Sequence, residues 1–401
     1  MLARKMRRLG NRNLNGRELE TCYGCRVIEQ APPRIIITTA GFGEGHNSAA
    51  NHLAVALEPN AEVEIVDPCD RGAPWVNQQI RNFYRFVTTY APKTWSKIYK
   101  STERHDFSEE RLPLMRKPEN ALHESILSFE PDAVISTYPL YPYFLERSFQ
   151  RGANRVPIFT AVTDSIEINS SWTNAPTDYW LVTDALTKEK LIQKGLPSEK
   201  IVVTGFAVHP RFQNLPTIPV DSPCDPFKVL YFPTSKKPTV RRFMRAILNA
   251  TGANTEVTVV LGRNVRKLYD RAREIQLEYP GRVQIKGWTR RVPELLSEHH
   301  LVVGKAGGAT VHEAIAAQTP MLIHHLVPGQ EEGNLALIEH IGAGQLTETS
   351  KQVHTAISAM TADNAKIWRS MKQNLQDKAL PCGATAAAKF ILDHIQKSKN
   401  S

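Results

Sequence analysis

Residues 301–334, LVVGKAGGATVHEAIAAQTPMLIHHLVPGQEEGN, constrain the fold more tightly than any other part of the chain. A short apolar run, Leu301 to Val303, meets a glycine turn and then Thr310, after which Val311, Ala314 and Ile315 recur at helical spacing. The order is strand, turn, helix. Gly307 and Gly308 allow a close backbone approach, and the first amides of the helix behind them have no partners within it. An anion is their natural occupant. Glu313 lies about one turn into that helix, where a carboxylate can accept hydrogen bonds from sugar hydroxyls beside a phosphate. The pattern then repeats: Met321 to Leu326 reads as a strand, and Pro328-Gly329 turns the chain so that Gln330, Glu331 and Asn334 stand at the start of the next helix. In a parallel sheet both loops fall at the carboxyl ends of neighbouring strands, where open α/β folds bind ligands. For the Gly-Gly pair alone, tight packing of a plain β-α-β unit is the competing reading.

The same alternation extends along the chain. The β-branched run Arg34 to Thr39 starts it, and AGFGEGHNSAANHLAVAL follows as a glycine loop and a helix with Asn47 or Ser48 as cap. Further strands are expected at Ala61 to Val66, Ala133 to Thr137, Ile158 to Thr163 and Trp180 to Val182. After the proline-rich DSPCDPF a second series begins: Val229 to Phe232, Glu256 to Leu261, Val283 to Ile285, Leu301 to Val303 and Met321 to His324. The expected division is a first domain over 34–220, a linker at 221–227, a second domain over 228–380 and a C-terminal helix within 381–401. The fold class is α/β, two Rossmann-like domains facing a cleft. A length of 401 residues with 41% hydrophobic and 22% charged side chains fits two folded domains.

The net charge of +10 is concentrated at one end. Residues 1–17 hold six Lys or Arg and no acid, leaving 44 cations against 40 anions elsewhere. Residues 1–33 therefore read as a basic, disordered tail, a kind of segment that is ordinarily solvated and also adheres to anionic lipid or nucleic acid. Cys22-Tyr-Gly-Cys25 is a single CxxC without a second pair, weak ground for a zinc or redox site. No run approaches the roughly 18 apolar residues that span a bilayer. The first thirty residues lack the apolar core of a secretory signal, and five cysteines, an odd number, fit a reducing compartment, so a cytoplasmic location is expected.

The string GGATVHEA, followed by TPML and PGQEEGN, resembles the donor-sugar site of the inverting two-domain glycosyltransferases that include the peptidoglycan N-acetylglucosaminyltransferase and the diacylglycerol galactosyl- and glucosyltransferases. PGQEEGN is most similar to the glycolipid branch. The resemblance implies GT-B architecture over roughly residues 34 to 395, a UDP-glucose or UDP-galactose donor, a β-glycoside product and a terminal helix, near Thr385 to Gln396, that crosses back to the first domain. It implies donor-binding roles for Trp288, Lys305, Gly307, Gly308, Thr310, Glu313, Gln330, Glu331 and Asn334, with Glu313 at the ribose, Gln330 at the sugar and Gly287-Trp288 beside the uracil ring. The loop PTSKKPTV departs from the pattern, since family members commonly have glycines there; Ser235, Lys236 and Lys237 are left to reach a phosphate. No D-x-D triplet is present, so no metal cofactor is expected, and helix amides and cations must stabilise the leaving diphosphate.

In the first half, His46 closes GFGEGH, and the glycolipid members have a matching GxGH. A histidine at a helix N-terminus meets the positive end of the dipole, which disfavours the imidazolium. Neutral, it suits a general base toward an acceptor hydroxyl; it also reads as a simple helix cap. Thr163-Asp164, with Trp172 shortly after, resembles the family's TD pair, and Asp164 is expected to orient His46, contact the acceptor or cap the following turn. Plant glycolipid synthases often carry a histidine just before the equivalent of Trp172, whereas this chain reads EINSSW, which leaves the acceptor open. Residues 75–107 hold eight of the 31 aromatics together with six basic groups and two acids. Such a mixture suits a membrane interface; core packing and single-stranded nucleic acid use the same residue types. The acceptor or membrane residues are then Gly43, Gly45, Phe83, Arg85, Trp95, Tyr99 and Trp172.

Together these readings describe an inverting glycosyltransferase that moves a hexose from a UDP-sugar to a lipid hydroxyl, that of diacylglycerol, at the cytoplasmic membrane face. Its partners are the UDP-sugar, the lipid acceptor and an anionic membrane surface, with no nucleic acid. The rivals are transfer to a polyprenyl-diphosphate-linked intermediate, UDP-sugar 2-epimerisation, which needs no lipid segment, and a non-catalytic UDP-sugar or lipid sensor.

Overall fold

A computed structural model of the chain describes residues 31–102, 107, 113–251, 254–378, 380 and 382–400. The expected basic tail up to residue 30, with its CxxC, lies outside the described residues, as do 103–106 of the aromatic-basic stretch.

Two parallel six-stranded sheets organise the remainder. The first contains β1 (Arg34–Thr38), β2 (Glu62–Val66), β3 (Ala133–Ser136), β4 (Ile158–Ala161), β5 (Tyr179–Val182) and β6 (Ile201–Val203), in the order β2-β1-β3-β4-β5-β6. The second contains β7 (Phe227–Tyr231), β8 (Thr255–Val260), β9 (Val283–Lys286), β10 (Leu301–Lys305), β11 (Met321–His325) and β12 (Gly344–Leu346), in the order β12-β11-β10-β7-β8-β9. Ile35, Ile36 and Ile37 are fully buried in succession, as a parallel strand covered by helices on both faces requires. The short edge strands β6 and β12 are absent from the sequence reading because three residues carry too little periodicity to register.

Each sheet reverses its order at one point, between β1 and β3 in the first and between β7 and β10 in the second. Loops leaving the carboxyl ends of two such strands diverge to opposite faces and open a crevice. GFGEGH follows β1 and KAGG begins on the last residue of β10, so the two most distinctive sequence motifs sit at the two switch points.

The halves meet through glycines. A Cβ on Gly333 would stand 1.7 Å from the Ser165 carbonyl oxygen, and one on Gly308 would stand 2.8 Å from that of Thr163. Backbone can approach backbone there only without a side chain. Beside them His312 Nε2 lies 2.8 Å from Ser165 Oγ, and its ring stacks on Phe206 with centroids 4.7 Å apart. The terminal helix, Gly383–Asn400, packs on the helix Glu44–Leu57 and sets Phe390 against Tyr179 of β5, crossing back to the first sheet.

Candidate active site

The first functional loop is shaped by glycine. Gly43 has φ 90°, a left-handed value that favours glycine, and directly precedes the helix Glu44–Leu57. Asn47 and Ser48, expected as caps, lie inside this helix instead, and no side chain caps it. Asn47 is used otherwise, accepting from the Thr39 hydroxyl at 2.9 Å.

His46 is buried, with Nδ1 2.6 Å from the Thr137 carbonyl oxygen and 3.0 Å from Thr163 Oγ1. A carbonyl only accepts, so Nδ1 carries the proton and donates, leaving the Nε2 lone pair available. Burial pushes the imidazole down to about 4, against the opposing effect of the Thr137 hydrogen bond. The sequence reading assigned neutrality to the helix dipole; desolvation is the larger cause. Tyr138, nearly perpendicular to the ring, and Trp172, tilted against it, flank the imidazole with centroids 5.2 and 6.1 Å away.

Asp164 does not orient this histidine, because the Thr137 carbonyl already holds Nδ1. Nor does it cap the following turn, where the Asn169 side chain accepts from the Ser171 amide. Its Oδ2 accepts from Trp172 Nε1 at 2.8 Å, and the Tyr99 side chain lies close enough to lower its pKa. Burial raises the carboxyl to about 6, with the Trp172 bond opposing.

Two cavities meet at these groups. The larger, about 320 Å³, is walled mainly by apolar side chains, among them Phe42, Phe83, Trp95, Tyr99, Tyr138 and Trp172. The smaller, about 130 Å³, is lined by Gly43, Gly45, Thr163, Lys305, Gly307, Gly308, Thr310, Glu331 and Asn334. Phe42, His46, Tyr84, Asp164 and Gln330 belong to both. His46 and Asp164 therefore stand where an apolar molecule and a polar one would touch.

On the second-domain side, the helix Gly308–Ala316 starts without a side-chain cap and leaves its first amides at the small cavity. Lys305 reaches Glu331 Oε1 at 3.1 Å, while Glu331 Oε2 accepts from the Val327 amide at 3.0 Å. Glu331 thus braces Lys305 and the loop while its side chain still lines the small cavity, where a carboxylate oxygen that accepts one hydrogen bond can accept another. Asn334 donates to the Ala306 carbonyl at 3.1 Å, holding the glycine turn, and its buried Oδ1 has no partner among the described residues. Gln330 Oε1 accepts from Tyr84 Oη at 3.2 Å and from Trp95 Nε1 at 3.1 Å, which ties this loop to the first domain. Glu313 and Trp288 line neither cavity. Glu313 has no hydrogen-bond or ion-pair partner among the described residues, and desolvation alone raises it to about 8. Trp288 is exposed beyond β9, with the Arg290 guanidinium 5.6 Å from its ring centroid.

The aromatic-basic stretch divides into two helices, Pro74–Tyr90 and Pro92–Thr102. Trp95 and Tyr99, read as candidates for insertion into lipid, turn inward to the cavity instead. Phe83, also exposed, stands at the wall of the larger cavity, while the outward rings are Trp75, Phe86 and Tyr90, at 73%, 60% and 60% exposure, with Arg85 exposed beside them. Their spacing puts them along one side of the helix. Several site residues had no local signal: Thr137 and Tyr138 follow β3, and only the β1-β3 adjacency brings them to His46. His325 ends β11, where burial lowers its pKa, the charge of Glu331 opposes, and the charges of Lys236 and Lys305 add to the lowering.

The family model for monogalactosyldiacylglycerol (MGDG) synthase matches residues 46–208. The processive diacylglycerol beta-glucosyltransferase of Bacillus subtilis (strain 168) is 24% identical over 376 residues, covering 91% of this chain and 95% of that protein. The chloroplastic monogalactosyldiacylglycerol synthase of Spinacia oleracea is 23% identical over 385 residues, covering 88% and 71%. The chain is a relative of the diacylglycerol glycosyltransferases. Among solved structures, MurG of Acinetobacter baumannii aligns with TM-score 0.58 at 14% identity over 91% of this chain and 100% of that one. S. aureus MnaA with UDP aligns with TM-score 0.56 at 17% identity over 92% and 97%. These likenesses establish the two-domain GT-B fold for this relative of the diacylglycerol glycosyltransferases.

Proposed function

We propose that this protein transfers a hexose from UDP-glucose or UDP-galactose to the free hydroxyl of diacylglycerol, with inversion at the anomeric carbon. The observation that carries the reading is the position of His46, which lines an apolar cavity and a polar one at once and whose Nδ1 donates to the Thr137 carbonyl, leaving Nε2 unprotonated. In this reading the acyl chains occupy the apolar cavity and the UDP-hexose occupies the polar one. The acceptor hydroxyl gives its proton to Nε2 as its oxygen bonds to the anomeric carbon, and the bond from that carbon to the diphosphate breaks, UDP leaving with the electron pair. The amides that open the helix Gly308–Ala316, together with Lys305, stabilise the negative charge that grows on the leaving group. An imidazole at about 4 is a weak base; a bound diphosphate would favour the imidazolium and strengthen it.

These positive groups supply charge stabilisation without a divalent ion, so we expect the enzyme to need no metal. Among the described residues no helix is long and apolar enough to cross a membrane. The outward rings of the helix Pro74–Tyr90, with Arg85 beside them, support docking of this helix on an anionic membrane surface. The deciding experiment incubates the purified protein with labelled UDP-glucose or UDP-galactose and diacylglycerol in anionic vesicles, and looks for an organic-soluble β-glycoside. A 2-epimerised UDP-sugar formed without lipid, and no glycolipid, would refute the reading.

A further inference from the structure

The wall between the two cavities contains a clamp built from both halves of the molecule. Gln330 Oε1 accepts from Trp95 Nε1 at 3.1 Å and from Tyr84 Oη at 3.2 Å, and the Tyr84 and Trp95 rings meet edge to face with centroids 4.8 Å apart. An indole N–H only donates. The Gln330 amide therefore has one usable orientation, its carbonyl toward the two aromatic helices, and its NH₂ has no partner among the described residues. The neighbouring backbone presses on the same place: Gly329 has φ +85°, and a Cβ there would stand 3.3 Å from Ser96 Oγ and 3.4 Å from Tyr99 Cδ1. Gln330 and Tyr84 line both cavities, and Trp95 lines the apolar one.

We propose that Tyr84 and Trp95 are positioning residues for the donor sugar. By holding the Gln330 carbonyl they present its two N–H donors to the hexose, and they couple recognition of that sugar to the seating of the helix Pro92–Thr102, which walls the apolar cavity. Without the clamp, the amide turns over and its side chain samples other rotamers, so the ordering cost falls on the binding of the sugar. An apolar acceptor that alters the clamp must change the affinity for UDP-hexose, and UDP-hexose must change that for the acceptor by the same factor. The inference rests on Gln330 as the sugar-contact residue in the function proposed above.

The test is calorimetric titration with UDP, UDP-glucose and UDP-galactose, with and without a short-chain diacylglycerol. It uses the full chain, the Tyr84→Phe/Trp95→Phe double variant, Gln330→Ala and the triple variant. The phenylalanines keep ring bulk and remove the two donors. The double variant should lose about fivefold to tenfold in affinity for its UDP-hexose, the worth of one or two hydrogen bonds, while UDP itself binds as before. In turnover, the donor KM should rise more than kcat falls. The triple variant should be no weaker than Gln330→Ala, and the effect of diacylglycerol on UDP-hexose binding should be present in the wild type and shrink in the double variant. Unchanged UDP-hexose affinity, equal weakening of UDP and UDP-hexose, or full additivity on the Gln330→Ala background would each overturn the clamp. If Gln330→Ala itself fails to separate UDP-hexose from UDP, the sugar-contact reading fails and the clamp falls with it. If Gln330→Ala separates them and the double variant is silent, only the clamp fails.

Discussion

Glu313 gives the sharpest test of the ribose assignment, because it lines neither cavity, its carboxyl has no partner among the described residues, and burial alone raises it to about 8. At neutral pH it is mostly protonated. A ribose with two hydroxyls to donate prefers the ionised form, so nucleotide binding should expel a proton and lower this pKa. The sign follows: the binding-competent form gains population as pH rises toward the pKa of the free site and loses it as pH falls. For a site at about 8, the dissociation constant should fall roughly eightfold from a pH of about 6.5 to 7.5, and about threefold more by 8.5, then level off. One pKa unit corresponds to about 1.4 kcal/mol, so the effect is well above titration error. UDP-hexose is the ligand to use, since the phosphate of free UDP titrates in the same range. Calorimetry in two buffers of different ionisation enthalpy should detect close to one proton released per UDP-hexose at neutral pH. Glu313→Gln should abolish both the slope and the release. A pH-independent affinity in the wild type, or a slope that survives in Glu313→Gln, would remove Glu313 from the ribose.

Three further outcomes are expected. His46→Ala should reduce turnover by on the order of 10²-fold or more while UDP binding persists; wild-type turnover would reduce the residue to a packing role. Flotation with anionic vesicles should be strong at low salt and partly retained at high salt, where charges are screened and inserted rings are not; Trp75→Ala with Phe86→Ala should remove the retained part, whereas Trp95→Phe should leave it. Glycosyl transfer should survive a chelator, and complete loss that is restored by magnesium or manganese would contradict the expectation drawn from the missing D-x-D triplet.

Much of the scaffold was legible from short-range chemistry. Runs such as Arg34 to Thr38 and Leu301 to Lys305 are apolar and bounded by glycine turns, so they announce buried parallel strands without reference to anything distant. GFGEGH and KAGG were readable for the same reason, since a turn that needs a positive φ or a close backbone approach must be spelled locally in glycine. His46, Asp164 and Gln330 drew attention as chemical groups beside those turns. Their partners did not. That the carbonyl of Thr137, 91 residues along the chain, sets the tautomer of His46 depends on β1 lying next to β3. That Trp95 faces Gln330 and not a lipid surface depends on contact between elements separated by 235 residues. The dipole argument for His46 missed the burial that lowers its pKa, and the pairing of Glu331 with Lys305 was not read, because both exist only once separate segments are folded together. Residue type and periodicity determine which strands, turns and reactive groups this chain contains. Which hydrogen bond each group makes, and how far it is withdrawn from water, is settled by long-range packing, and those two quantities set the proton affinities and orientations on which catalysis depends.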